Sequence, residues 1–202
     1  MCEVRRTLSE LLLGGYPLAM TMNESEKKYE LIGKDALLWL EKAQGLKYCA
    51  LILKDQLLAS IDIPPNQRRV ETNALFDSTL LLLGLAFENL IKGVYIAQNS
   101  NLVDKKRLNR SLWQADNGHA IAEFAKSLIP LGPDEEDLLQ RLQESIVWAS
   151  RFPIPTKSSR YHNSIWPVNK RRLSTRDFEI AESLFQNLER ILIKARNANS
   201  ST

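Results

Sequence analysis

The sequence predicts an all-α fold: a helical bundle of about five helices around one long central helix. Three observations lead there. The stretch 71–99, ETNALFDSTLLLLGLAFENLIKGVYIAQN, contains no proline and is apolar on nearly every side through 80–87. A helix of that kind either spans a membrane or lies buried in the centre of a protein. Asp77 and Glu88 bracket the apolar run, leaving it short of the roughly 20 residues a bilayer requires. A central buried helix is therefore expected, with no membrane partner. Elsewhere, apolar residues recur at helical spacing in several separate segments. Finally, no segment alternates with the period of a strand, and there is neither an internal repeat nor a low-complexity tract.

A chain of 202 residues fits one domain, expected over 23–198, with 1–22 as a leader or a short accessory helix. A hydrophobic share of 44% is ample for a core that needs neither metal nor disulfide. Cys2 and Cys49 have neither a disulfide framework nor zinc spacing, which places the chain in a reducing cytoplasm. The net charge of +3 is too small to imply a partner by itself. Arg5 and Arg6 precede a leucine-rich patch. Glu10 interrupts it and no clean small-x-small cleavage site follows, which argues against a signal peptide.

Taken in order, the first helix should begin near Asn23, which has capping-box spacing to Glu26. Ile32, Ala36, Trp39, Leu40 and Ala43 then share one face. Gly45 loosens the pattern before Leu51, Leu57, Leu58 and Ile61 resume it, so 23–61 reads as one bent helix or two in series. Pro64 and Pro65 should end it. After the central helix, a polar stretch leads to a short helix capped by Asp116 or Asn117, burying Ile121, Phe124, Ala125 and Leu128. Asp134, Glu135, Glu136 and Asp137 follow Pro133 in the first turn of the next helix, which should end near Ser150. Carboxylates there are favoured by the helix dipole. No histidine completes a ligand shell, so no metal and no cofactor is expected. Ser174 and Asp177 form another capping-box pair, opening a last helix with the stripe Phe178, Ala181, Leu184, Phe185, Leu188, Ile191 and Leu192.

The segment 151–176 is the most informative surface. It holds Arg151, Lys157, Arg160, Lys170, Arg171, Arg172 and Arg176, with no acid, and interleaves Phe152, Tyr161, His162 and Trp166. Cations neutralise phosphates and aromatic faces stack on bases, so the mixture suits RNA or a nucleotide. A solvated loop pinned to the bundle by its aromatics has the same composition. The candidate nucleic-acid contacts are Arg151, Arg160, Tyr161, His162, Trp166, Lys170, Arg171 and Arg172. His119 should lie in the first turn of its helix as a neutral, hydrogen-bonded ring, since the dipole disfavours imidazolium there. Glu88 and Lys92, at i and i+4, have the spacing of an ion pair. Flanked by apolar residues, they read as a structural pair tying helices together, or as a polar contact inside a dimer interface. Gly84, Ala86 and Gly93 are small enough to admit another helix. The common enzyme signatures are absent.

Three stretches carry a family resemblance: ENLIKG at 88–93, NGHAIAEFAKSL at 117–128 and DLLQRLQESIVWASRFPIP at 137–155. The order resembles the HEPN-like helical domains of bacteria and archaea, over about 71–155. The last stretch is similar to a W-A-G-R-Y-P-x-P ending of uncharacterised members, with Ser150 for glycine and Phe152 for tyrosine. The resemblance implies a bundle that commonly forms a homodimer and works on or near RNA, sometimes as a toxin beside an antitoxin-type nucleotidyltransferase. Its active ribonucleases carry an arginine followed four to six residues later by histidine, and this chain has no such pair. A non-catalytic partner-binding bundle is the expectation. The alternatives are a ribonuclease with a rearranged site, using His162 with Arg151 or Arg160, and a purely protein-binding dimerisation module.

Overall fold

The computed structural model describes residues 22–60, 65–103, 107–108, 118–151 and 173–200. Among these residues there are six α-helices and no strand beyond an isolated bridge between Val103 and Leu108. In chain order they are α1 (Met22–Lys34), α2 (Ala36–Ala59), α3 (Pro65–Gln98), α4 (Ile121–Leu128), α5 (Pro133–Glu144) and α6 (Thr175–Ser200). The fold is an all-α bundle around the long helix α3.

Helix α3 begins at Pro65, six residues earlier than the apolar pattern indicates. Proline suits the first position of a helix, whose N–H has no partner in any case. Pro65 thus opens the central helix, while α2 has already closed at Ala59 with Ser60 donating its hydroxyl to the Leu57 carbonyl at 2.7 Å. By length and mean hydropathy (1.6), Val70–Gln98 would suffice to cross a bilayer, so Asp77 and Glu88 do not exclude a span on composition. What marks it as a core helix is that 67% of its most apolar window is buried inside the bundle.

Leu80, Leu83, Phe87, Leu90, Ile91 and Val94 of α3 form the axis of the core. Helix α2 packs against it most extensively, through Ala36, Leu40, Ala43 and Ala50, and α6 next, through its predicted stripe. Of that stripe only Ile191 is less than buried. Helices α4 and α5 close the remaining side with Ile121, Ala125, Leu138, Leu139 and Leu142; Phe124 and Leu128 are half-buried rather than buried.

The first helical segment divides at Asp35, not at Gly45. The Asp35 side chain caps α2 by accepting from the Leu37 N–H at 3.0 Å, a competitor for the backbone that glycine lacks. Gly45 lies inside α2. Because α1 starts at Met22, Asn23 falls within it rather than capping it. Ile32, expected on the core face, is 47% exposed. The capping box at Ser174 and Asp177 forms as the spacing predicts, with Asp177 accepting from the Ser174 N–H at 2.7 Å and donating its own N–H to the Ser174 hydroxyl at 3.2 Å.

The small residues of α3 admit helices of this same chain. A Cβ at Gly93 would lie 2.9 Å from Trp39 Cβ; one at Gly84 would lie 2.8 Å from Ile146 Cγ1 and 3.0 Å from the Leu142 carbonyl oxygen. Gly84→Ala is therefore expected to destabilise the protein by about 1–3 kcal/mol through overpacking, despite alanine's better helix propensity. Urea denaturation checks it, and an unchanged or raised midpoint would show that the contact yields.

Candidate functional site

Two of the motifs that carry the sequence resemblance meet at one carboxylate. Glu88 and Lys92 stand one turn apart on α3, and both are buried, at 8% and 4% exposure. The Lys92 ammonium donates to Glu88 Oε1 at 2.5 Å. His119 approaches from the turn before α4 and places Nδ1 2.8 Å from Glu88 Oε2. This ring precedes the helix instead of occupying its first turn, since α4 begins at Ile121 with Ala120 as cap. Asp116 and Asn117, expected as caps, lie outside the described residues.

Burial by itself would raise the Glu88 carboxyl pKa, but the hydrogen bonds from His119 and Lys92, and their charges, outweigh it and hold the pKa below the usual carboxylate value. Glu88 is thus ionised and can only accept, so His119 Nδ1 carries the proton and donates it. The His119 side chain is 36% exposed. Chemically, the trio is a buried ion pair that orients the His119 imidazole through its Nδ1. Glu88 and Lys92 are both buried within the single chain.

Of the predicted nucleic-acid contacts, only Arg151 is described; Arg160, Tyr161, His162, Trp166, Lys170, Arg171 and Arg172 lie outside the described residues. Helix α5 passes into a π turn, Ser145–Ala149, which ends the regular ladder before the expected Ser150. Arg151 follows it. Its guanidinium donates to the Ile146 carbonyl at 3.3 Å, and its backbone N–H donates to Trp148 at 2.9 Å. The side chain is exposed, yet it also fastens the start of the basic segment to the bundle. At the far end Arg176 pairs with Asp134 Oδ2 at 2.5 Å. Asp177 accepts from Arg141, which also bonds Asp137 at 2.9 Å.

The four acids opening α5 have four separate duties. Asp134 holds Arg176, Glu135 accepts the Gly132 N–H at 2.8 Å, Glu136 binds Lys126 at 2.5 Å and Asp137 binds Arg141. Among the described residues no group of His, Cys, Asp and Glu is arranged to hold a metal ion. A polar cleft of about 600 Å³ opens between the start of α2 and the ends of α3 and α6; of the predicted site residues that are described, Glu88, Lys92 and Arg151, none lines it.

The link between Glu88 and His119 escaped sequence reasoning because the two are 31 positions apart and neither carries a local signature of the other. No protein-family model, curated protein or solved structure matches this chain.

Proposed function

We propose that the protein is a non-catalytic, HEPN-like helical bundle that binds RNA or a nucleotide through the basic, aromatic segment 151–176. The observation that supports this most is the charge pattern of that segment. Seven cations occur with no acid between them, and the two end arginines are engaged by the bundle at Ile146 and Asp134. The five that remain, Lys157, Arg160, Lys170, Arg171 and Arg172, are interleaved in the sequence with Tyr161, His162 and Trp166. That combination fits a flexible polyanion with unstacked bases. On this reading the protein works in the cytoplasm, with a second copy or an antitoxin-type protein as its protein partner.

The Glu88–His119 pair favours a second reading, in which an RNA 2′-hydroxyl attacks the adjacent phosphate, His119 rather than His162 takes the hydroxyl proton, and the displaced 5′-oxygen takes a proton from water. One set of incubations with a single-stranded RNA oligonucleotide tests both. Binding should weaken steeply with salt, and Arg171→Ala with Arg172→Ala should make the salt slope shallower by about 1.4. Affinity unchanged in that double variant would overturn the proposal. RNA left intact by the wild type supports the non-catalytic reading. Cleavage lost in His119→Ala supports the second.

A further inference from the structure

A pocket of about 370 Å³ opens where the turn between α4 and α5 meets the second half of α6. Ile129, Pro130 and Ile191 give it apolar walls, and Asn187, Arg190 and Lys194 supply its polar atoms. Local chemistry fixes the walls. Ile129 ends α4 in an extended conformation, the one favoured before proline, and its N–H donates to the Ala125 carbonyl at 3.0 Å. The two cations set this place apart from the rest of the bundle. Lys34, Lys47, Lys126, Arg141 and Arg176 each meet a carboxylate. Arg190 meets none among the described residues: its Nε donates to the Gln186 carbonyl at 3.3 Å and a terminal nitrogen to Asn187 Oδ1 at 2.7 Å. Lys194 has no hydrogen-bond or ion-pair partner among the described residues. The two stand at i and i+4 on α6, where like charges cost about 0.2–0.5 kcal/mol. One cation is thus held in place by neutral groups, the other is free, and both are exposed beside apolar walls.

We propose that this pocket binds a nucleoside monophosphate, with the phosphate between Arg190 and Lys194 and the base against Ile129, Pro130 and Ile191. Size selects a small ligand. Pockets of about 300–1,000 Å³ take small molecules, whereas a stable protein interface buries about 1,200–2,000 Å², far more than a pocket of about 370 Å³ presents. Charge selects a phosphate monoester. It carries about −1.5 to −2 at neutral pH, enough for both cations, whereas a carboxylate or a phosphate diester carries a single charge and leaves one cation unmatched. Its oxygens suit the planar fork of Arg190 and the point charge of Lys194 together. The walls select a base over a bare sugar: a flat aromatic face covers apolar carbon, while sugar hydroxyls set there would lose their hydrogen bonds. With its Oδ1 taken by Arg190, Asn187 keeps its amide N–H groups to donate to the ligand. Arg190 lies about 21 Å along α6 from Arg176, and the assignment does not rest on RNA binding by 151–176.

A free nucleotide and the 5′-phosphorylated end of an RNA present this same chemistry. Titration calorimetry of the full chain with adenosine 5′-monophosphate at low salt is expected to show binding at about 1 mM or tighter. Arg190→Gln with Lys194→Gln should weaken it about tenfold or more. Both side chains are exposed, so the double variant should keep the wild-type urea midpoint. Adenosine and ribose 5-phosphate should each bind about tenfold more weakly than the monophosphate, since each lacks one half of the recognised group. Competition then names the source. Displacement of the monophosphate by a 5′-phosphorylated oligoribonucleotide, but not by its 5′-hydroxyl counterpart, assigns the pocket to an RNA end; displacement by neither assigns it to a free nucleotide. Equal displacement by both would overturn the monoester assignment. No binding of the monophosphate at about 10 mM, an affinity unchanged in the double variant, or adenosine binding as tightly as its monophosphate would each overturn the proposal.

Discussion

Glu88→Ala is expected to lower the unfolding free energy by about 3–5 kcal/mol, because it strips a buried ammonium of its carboxylate. Lys92 is 4% exposed and its Nζ lies 2.5 Å from Glu88 Oε1. The same change removes the acceptor for His119 Nδ1 and loosens the turn that leads into α4. Pairing it with Lys92→Met should restore much of the loss, since a buried ion pair exchanged for apolar groups of similar volume is often near neutral. Acid should reveal the same carboxylate. Its folded pKa lies below its ordinary value, so its contribution is complete above the unfolded value, about 4.3. That contribution is lost as pH falls through the lowered folded value. Asp177 acts in the same direction: burial would raise its pKa, but hydrogen bonds from Arg141 and Ser174 lower it. Guanidinium denaturation of wild type and variant at neutral and acid pH checks both points. A single variant within about 0.5 kcal/mol of wild type would show that the pair contributes little.

How much of this was legible beforehand depended on how local each cause is. The stripe of α6 and the Ser174–Asp177 cap depend on residues within a few positions of each other, and both formed as read. The core character of α3 followed from its apolar middle, although its start at Pro65 did not, because two prolines read equally well as an end or a beginning. The break falls at Asp35 and not at Gly45 because a side-chain cap depends on the conformation of the residue that provides it, which the residue type alone does not specify. Ile32 fitted a helical stripe yet lies exposed, since periodicity shows which residues share a face and not whether a neighbour covers it. Glu88 and Lys92 were readable as a pair, while their third member came from another element. For the basic segment, composition is legible, and Arg160 through Arg172 lie outside the described residues.

Phe185→Ala is expected to cost about 3–5 kcal/mol, since it opens a cavity where three helices meet. The ring is fully buried, with 0% exposure. It stands edge-on to Phe87 of α3 at 5.7 Å between centroids, and Lys47 of α2 lies over it with Nζ 4.4 Å from the ring centre. Lys47 also bonds Glu182 at 3.0 Å, one turn before Phe185 on α6. Glu182 is 42% exposed in its side chain, so that ion pair contributes little. The cation over the ring carries about 0.5–1 kcal/mol. Two further variants separate volume from charge. Phe185→Leu keeps the site apolar and near its volume and should lose about 1.5 kcal/mol or less. Lys47→Met should destabilise the wild type more than it does the Phe185→Ala background, by about the value of the cation–ring contact. Equal costs in the two backgrounds would mean that α2 and α6 are held together by apolar burial alone, with the ammonium over Phe185 adding nothing.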